Sequence, residues 1–222
     1  MTFDEPFKLV ALISGCDSNL QALIDSIANG KLEAQIVMVI SNKFSAEGLV
    51  RARRCNIPTQ VIDHLNFNDR SDYDETLAAS IESYSPDLVI LAGFMRILGS
   101  KFVDRFIGRL INIHPSLLPK YPGLNTHQRA LNAGDSEAGA TVHFVTSKLD
   151  EGPATIQASV PIEDKDCADT LAQRVQTIEH VIFPLATQWL VEGRIEMTGN
   201  SAFFDRVALP PHGKIVRTRT SK

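Results

Sequence analysis

Residues 8–24, which read KLVALISGCDSNLQALI, join an apolar segment to an amphipathic one through a short polar loop. Lys8–Ile13 is of strand length and almost entirely apolar, so it predicts a buried β-strand. Leu20, Leu23, Ile24 and Ile27 then recur at three- and four-residue spacing, which predicts a helix with one apolar face. A strand, a loop and a helix in this order form the repeating unit of an α/β fold.

The same alternation continues through the first half of the chain. Further strands are predicted at residues 35–41, 59–62, 87–92 and 110–113, with helices between them, one of which carries Tyr73, Leu77 and Ile81. Strands that are apolar along their whole length are typical of parallel sheets covered on both faces. The sequence therefore predicts an α/β fold, a Rossmann-like open, mostly parallel sheet with helices on both faces, whose common strand order is 3-2-1-4-5.

Beyond His114 the pattern changes. A helix is predicted at residues 126–133, strands at 141–145 and 155–160, and a long helix at 169–191 with a kink at Pro184. From about residue 204 to residue 222 we expect a loop or a frayed tail with a basic end. Nothing resembling a linker divides the chain, so we expect one domain over residues 1–222.

Composition narrows the class of protein. Hydrophobic residues make up 44% and charged residues 22% of the 222, as in an ordinary globular domain. The net charge of -4 lacks the basic footprint of a nucleic-acid-binding protein. Three widely spaced cysteines and an acidic, polar start favour the reducing cytoplasm over secretion, and the apolar runs are too short to span a membrane.

Three unusual polar segments follow predicted strands: residues 14–19, 93–98 and 112–116. In an open parallel sheet, ligands bind beyond the carboxyl ends of the strands where the strand order reverses, so we expect all three segments at one crevice. The first segment precedes a helix, whose backbone N–H groups suit a phosphate. Ser18 and Asn19 add side-chain donors, although either could equally cap the helix.

Asn112 and His114 lie two residues apart on a predicted strand and therefore project from the same side of it. An amide beside an imidazole can stabilise a developing oxyanion and exchange a proton. Residue types and spacing leave the alternative open, namely a hydrogen-bonded core histidine and a turn-forming asparagine. Asp150 is explained as well by its Gly-Pro turn as by a role in orienting His114.

Other chemistries are less well supported by the spacing of the residues. His114, His127, His143 and Asp150 could ligate a metal, but they form no HxH, HxxxH or HExxH pattern, so no metal is expected. Ser116 lacks the GxSxG turn of serine hydrolases.

At residues 112–123, NIHPSLLPKYPG, the sequence resembles the phosphoribosylglycinamide formyltransferases, folate-dependent enzymes of purine synthesis. The same resemblance is carried, in order along the chain, by SGCDSNLQALI, SNKFSAEGLVRA, LAGFMRIL, THQRAL, VHFVTSKLDEGP and RVQTIEHVIFP. It covers the chain from about Lys8 to Pro211. The family's catalytic asparagine, histidine and aspartate fall on Asn112, His114 and Asp150.

The resemblance also implies binding roles. It places the substrate phosphate at Asp17, Ser18 and Asn19, and the ribose or glycinamide end near Glu179. It implies a folate site, formed by Arg70, Met95, Arg96, Ile97, Leu98, Asn112, Thr146 and Asp150. Asp17 departs from the family, which has glycine there. Aspartate tolerates left-handed backbone geometry, but its charge disfavours a nearby phosphate.

The implied reaction moves the formyl group of 10-formyltetrahydrofolate, a co-substrate, to the amine of 5-phosphoribosylglycinamide. The implied protein is a cytoplasmic monomer or weak homodimer that needs no metal, nucleic acid or membrane. Related alternatives are methionyl-tRNA formyltransferase and formyltetrahydrofolate hydrolase, each of which is expected to need a further domain. A sugar-phosphate binding protein without catalysis is the alternative from another class, and the presence of Asn112, His114 and Asp150 together argues against it.

Overall fold

The computed structural model describes residues 5–15 and 18–216. The helices are α1 (Ser18–Ala28), α2 (Glu47–Arg54), α3 (Arg70–Glu82), α4 (Ser100–Arg105), α5 (Thr126–Ala133) and α6 (Ala168–Val191), with a 3-10 turn at His64–Asn66. The strands are β1 (Phe7–Ile13), β2 (Ala34–Ser41), β3 (Thr59–Val61), β4 (Leu88–Leu91), β5 (Leu110–His114), β6 (Glu137–Phe144), β7 (Ala154–Pro161), β8 (Ile195–Thr198), β9 (Ser201–Phe204), β10 (Val207–Ala208) and β11 (Lys214–Val216).

Two compact units make up the chain, residues 1–111 and residues 112–222. In the first unit the strand order is β3-β2-β1-β4, followed by the first residues of β5, and the pairs of β1 with β2, β1 with β4 and β2 with β3 are parallel. The predicted order and the mostly parallel α/β class are confirmed. Every residue of β4 is buried, as the apolar composition of the strand requires.

Helices of the first unit bury the apolar stripes that the sequence predicts. On α1 the buried side chains are Leu20, Leu23 and Ile24, and this helix contacts β2 and α2. On α3 the buried set includes Tyr73, Leu77 and Ile81, spaced by four residues so that they share one face. Burial of these stripes within the unit is what stabilises helices of this length, which are marginal in isolation.

In the second unit, β6 pairs antiparallel with β7, and β11 pairs parallel with β7. The helix α6 contacts β6 and β7 and runs without interruption through Pro184, so the expected kink stays a prediction. A separate antiparallel sheet has the order β10-β9-β8. Within the described residues, no helix combines the length and the apolar character that crossing a bilayer requires.

Two expectations differ from the structure. The stretch predicted as loop from about residue 204 contains β10 and β11, which are too short and too exposed to give an alternating apolar pattern. Its basic residues Arg217, Arg219 and Lys222 lie outside the described residues. The boundary between the two compact units falls inside β5, and the expectation of one domain over residues 1–222 stays a prediction. The strand predicted at residues 141–145 begins earlier, at Glu137.

Candidate active site

Strand β5 places Asn112 and His114 on one side of its backbone, because the two residues are separated by one position. Asn112 is half-buried, whereas only 6% of His114 is exposed. The intervening Ile113 is buried on the other side of the strand. The amide and the imidazole therefore leave β5 in the direction that the alternation predicts.

Both ring nitrogens of His114 face hydrogen-bond acceptors. Nε2 lies 2.9 Å from the carbonyl oxygen of Tyr121, and Nδ1 lies 3.4 Å from Oδ2 of Asp150. Since a carbonyl and a carboxylate only accept, a neutral ring satisfies one of the two contacts and an imidazolium satisfies both. The contact with Asp150 is longer than an ordinary hydrogen bond, so Nδ1 is the less firmly held nitrogen.

The carboxylate of Asp150 is held by the backbone of a segment distant in sequence. Its side chain is 8% exposed, and Oδ2 accepts the backbone N–H of Gly123 at 2.8 Å. Asp150 has a φ of 54°, the left-handed conformation that aspartate tolerates better than most residues. Two positions on, a Cβ at Gly152 would lie 1.8 Å from the carbonyl oxygen of Phe144, so only glycine lets the loop pack this closely against β6.

His143 joins Asn112 to this network. Its Nε2 lies 3.2 Å from Nδ2 of Asn112 and 3.7 Å from Oδ1 of Asp150, and its Nδ1 lies 2.8 Å from the carbonyl oxygen of Phe144. Complete burial lowers the pKa of His143, although the bond to Phe144 and the charge of Asp150 oppose that effect. The ring is therefore neutral, with its proton on Nδ1 and a bare Nε2 that accepts from Asn112.

The sequence suggested His143 only as a metal ligand, and its contact with Asn112 was missed. The strand register shifts between Val142 and His143, where β6 meets an irregularity in its pairing with β7. Such irregularities redirect side chains and have no reliable sequence signature. One signal in the sequence could have identified it. His143 stands between two apolar residues of a predicted strand, and a buried imidazole there needs hydrogen-bond partners.

Residues 116–118, which follow β5, are held by buried polar groups. Thr141 Oγ1 donates to the carbonyl oxygen of Ser116 at 2.7 Å and accepts the N–H of Leu118 at 3.1 Å. Gln157 Nε2 donates to the carbonyl oxygen of Leu118 at 2.6 Å. The chain on the carboxyl side of His114 is thus fixed by side chains of β6 and β7.

A further histidine, His127 of α5, has a lowered pKa because burial disfavours its charge and because His114 is nearby. Among the described residues, its buried Nδ1 has no hydrogen-bond partner.

The sequence left a metal site open as an alternative. The described part of the chain contains no group of three or more histidine, cysteine or acidic side chains arranged to hold an ion.

In the first unit, Ser18 and Asn19 begin α1 and are half-buried, at the helix N-terminus where the sequence predicts a phosphate site. Cys16 and Asp17, the latter a predicted phosphate ligand, lie outside the described residues. A phosphate at this position would meet backbone N–H groups and the positive end of the helix.

The predicted folate residues of the first unit lie in one loop, residues 95–98, and at the start of one helix, α3. In the loop, Met95 and Ile97 are 67% and 61% exposed, Leu98 is buried, and the Arg96 guanidinium lies 5.8 Å from the centre of the Tyr73 ring. Arg70 is exposed and is the first residue of α3. Exposed apolar side chains in such a loop are suited to a flat ligand that would cover them.

The remaining predicted residues belong to the second unit. Thr146 is half-buried, and its hydroxyl lies 3.4 Å from the carbonyl oxygen of Lys148 in the Asp150 loop. Glu179 lies on α6 and is 8% exposed. In this unit, the structure brings Asn112, His114 and Asp150 into one network with His143. Glu179 lies on a different element, the helix α6.

Comparisons of the sequence and of the structure with known proteins both find formyl transferases. The sequence profile described as formyl transferase matches residues 7–187. The chain is 51% identical over 206 residues to the phosphoribosylglycinamide formyltransferase of Escherichia coli (strain K12), covering 93% of this chain and 97% of that protein. It is 46% identical over 206 residues to the enzyme of the same name from Haemophilus influenzae, with the same coverage of 93% and 97%. The solved structure of phosphoribosylglycinamide formyltransferase from Coxiella burnetii, in complex with CHES, superposes with a TM-score of 0.92 at 48% identity, covering 95% of this chain and 99% of that one.

Proposed function

The chain belongs to the formyl transferase family, and from that membership we propose that Asn112, His114 and Asp150 carry out its formyl transfer. The enzyme transfers the formyl group of 10-formyltetrahydrofolate to the amine of 5-phosphoribosylglycinamide, a step of purine biosynthesis. The observation that carries the proposed roles is the network in which His143 orients Asn112, while Asp150 lies 3.4 Å from Nδ1 of His114.

In the first step, the amine nitrogen of the glycinamide attacks the formyl carbon, and a new C–N bond forms. The carbonyl oxygen becomes an oxyanion on a tetrahedral carbon. Asn112 donates one N–H of Nδ2 to that oxygen, since the other N–H is directed at His143. An amide held in advance stabilises the developing charge without a cost of reorganisation at the moment of reaction.

In the second step, the bond between the tetrahedral carbon and the folate nitrogen breaks. The amine loses a proton and the departing folate nitrogen gains one, so the proton count balances. His114 passes this proton through Nδ1, because Nε2 is held by the carbonyl oxygen of Tyr121. The negative charge of Asp150 stabilises the imidazolium that exists during the transfer.

Binding of the two substrates is assigned to separate groups of residues. We assign the phosphate to the start of α1, with Ser18 and Asn19 as donors and Asp17 beside them, and the ribose or glycinamide end to Glu179. The folate is assigned to the loop at residues 95–98, to Arg70 and to Thr146. The exposed apolar side chains of Met95 and Ile97 and the helix N-terminus at Ser18 support these assignments. Two substrates held in line account for much of the expected acceleration.

The proposal also covers the need for a metal, the cellular compartment and the oligomeric state. The co-substrate acts without a metal, because protein donors already face the developing charge and proton. The compartment is the cytoplasm, which suits the widely spaced cysteines, of which Cys55 and Cys167 are free and exposed. The proposed catalytic groups contact one another within one copy of the chain, so a monomer or a weak homodimer is sufficient for the proposed reaction.

The test is steady-state formyl transfer by Asn112→Ala and His114→Ala, with binding of a non-reactive formyl-folate analogue measured separately. Each variant should lose a factor of about 10² to 10³ in kcat and retain analogue affinity. Val207→Ala, at a residue that is 69% exposed in the small sheet, is the control and should match the parent enzyme. Full turnover by either catalytic variant would contradict the assigned roles.

A further inference from the structure

Two buried side chains hold the ends of the loop at residues 95–98, here termed the folate loop. We propose that Ser14 and Asp74 are positioning residues that fix this loop for folate binding, an inference that rests on the proposed function of the loop. Neither residue belongs to the catalytic groups or to the assigned folate contacts. Ser14 accepts the backbone N–H of Met95, and Asp74 accepts the backbone N–H of Gly99.

Ser14 holds the start of the folate loop. It follows β1 and is 5% exposed. Its hydroxyl donates to Oδ1 of Asn42 at 2.6 Å and accepts the N–H of Met95 at 2.8 Å. A hydroxyl has one hydrogen and two acceptor positions, so donation to Asn42 directs a lone pair at Met95. The serine therefore joins the ends of two strands to the loop that follows β4.

Asn42 lies at the other end of this chain of hydrogen bonds. It is 1% exposed and follows β2, and Nδ1 of His64 lies 3.3 Å from its Nδ2 and 3.2 Å from its carbonyl oxygen. With the amide nitrogen turned toward His64, the amide oxygen faces Ser14 and can only accept. The N–H of Met95 can only donate, so the Ser14 oxygen accepts from the loop and its hydrogen is free to bond Oδ1 of Asn42.

Asp74 holds the end of the folate loop. It lies on α3, one turn beyond Arg70, and is 7% exposed. Its Oδ2 accepts the N–H of Gly99 at 2.7 Å, and Gly99 precedes the first residue of α4. A Cβ at Gly99 would lie 2.9 Å from Oδ2, so glycine is what allows the carboxylate to reach the backbone. Arg70 and the end of the loop are thereby placed by the same helix.

These two hydrogen bonds are important because Leu98 is the one buried side chain among the four of the loop. Met95 and Ile97 are 67% and 61% exposed, so their side chains do not order the backbone between the two anchors. A loop with few buried contacts opens easily unless its backbone groups are bonded. Loss of either anchor should therefore weaken a ligand that needs the loop preformed, without changing the chemical step.

The experiment combines amide exchange in the ligand-free enzyme with the kinetics of both substrates. Ser14→Ala and Asp74→Ala should accelerate exchange of the Met95 and Gly99 amides, respectively. Each should raise the dissociation constant of a non-reactive formyl-folate analogue, and KM for the folate, about five- to tenfold. The KM for 5-phosphoribosylglycinamide and kcat at saturating folate should stay within about twofold of the parent values, since a positioning role concerns one ligand.

Asp74→Asn is the matched control, because an amide oxygen can still accept from Gly99, and it should restore most of the folate affinity. Unchanged amide exchange in both alanine variants would overturn the proposal, as would equal increases in KM for both substrates. Faster exchange with unchanged folate affinity would also overturn it. Ile97→Ala tests the loop assignment itself: if this variant too binds the analogue normally, the error lies in the proposed folate site.

Discussion

The amide nitrogen of Asn112 lies 3.2 Å from Nε2 of His143, a histidine that is 2% exposed. The proton of His143 is on Nδ1, because that atom lies 2.8 Å from the carbonyl oxygen of Phe144. Nε2 is therefore an acceptor, and the Asn112 side chain turns its NH₂ group, not its oxygen, toward it. The other N–H of the amide is left to point at a substrate oxygen.

Replacing His143 by leucine should misdirect the amide of Asn112. We expect kcat to fall by a factor of about 10 to 10², less than the loss on removing the donor itself, while folate affinity is unchanged. His143→Gln provides an amide oxygen in place of Nε2 and should recover most of the activity. Steady-state kinetics of both variants, with their melting temperatures measured alongside, provide the check. Equal activity of the leucine and glutamine variants would show that the acceptor has no part in catalysis.

Asp150 combines a charge with a structural hydrogen bond, and two substitutions separate them. Asp150→Asn removes the charge, but its amide oxygen can still accept from Gly123, 2.8 Å from the carboxylate in the native enzyme. We expect kcat to fall about 10²-fold or more with folate KM unchanged. Asp150→Ala loses the bond as well and should raise folate KM in addition. Native kcat in Asp150→Asn would remove the charge from the proposed mechanism.

Much of the fold was predictable from periodicity. The apolar strands β1 and β4 and the four-residue spacing of Tyr73, Leu77 and Ile81 on α3 are local signals of buried elements, and they fall where the sequence predicts them. Strand alternation also predicts that Asn112 and His114 leave β5 on one side. These features depend on neighbours along the chain, which a sequence displays directly.

What was missed depends on contacts between distant parts of the chain. His143 meets Asn112 through an irregular register between β6 and β7, and the carbonyl oxygen of Tyr121 reaches His114 from a loop with a left-handed residue. The edge strand β11 gains its hydrogen bonds from β7, while Lys214 and Ile215 stay exposed and leave no apolar pattern. Such features follow from packing that exists only after folding.

Stability should decrease as the pH falls through the ordinary histidine range. Burial lowers the pKa of His143 and of His127, so in the folded enzyme both bind a proton at a lower pH than in the unfolded chain, whose histidines take up protons below about pH 6.5. The unfolded state then binds more protons, and the free energy of unfolding decreases on acidification. Urea unfolding at pH 7.5 and pH 5.5 should show this loss, and His143→Gln should reduce it by on the order of 1 kcal/mol. The same pH difference in both proteins would mean that His143 takes up its proton without unfolding.

Asp17 stands in the predicted phosphate loop where relatives of this kind are expected to have glycine, and it lies outside the described residues. If its carboxylate faces the phosphate, two like charges about 4 Å apart repel by about 1 kcal/mol even in water, and by more in low salt. Asp17→Asn should therefore lower KM for 5-phosphoribosylglycinamide about fivefold at low ionic strength, with folate KM unchanged. The gain should shrink at 0.5 M salt, because screening weakens the repulsion in the parent enzyme. Asp17→Gly adds backbone freedom to the loss of charge, so a gain seen only in the glycine variant would assign the effect to loop geometry. If neither substitution changes KM, the carboxylate is directed away from the phosphate, and the aspartate is then compatible with full substrate affinity.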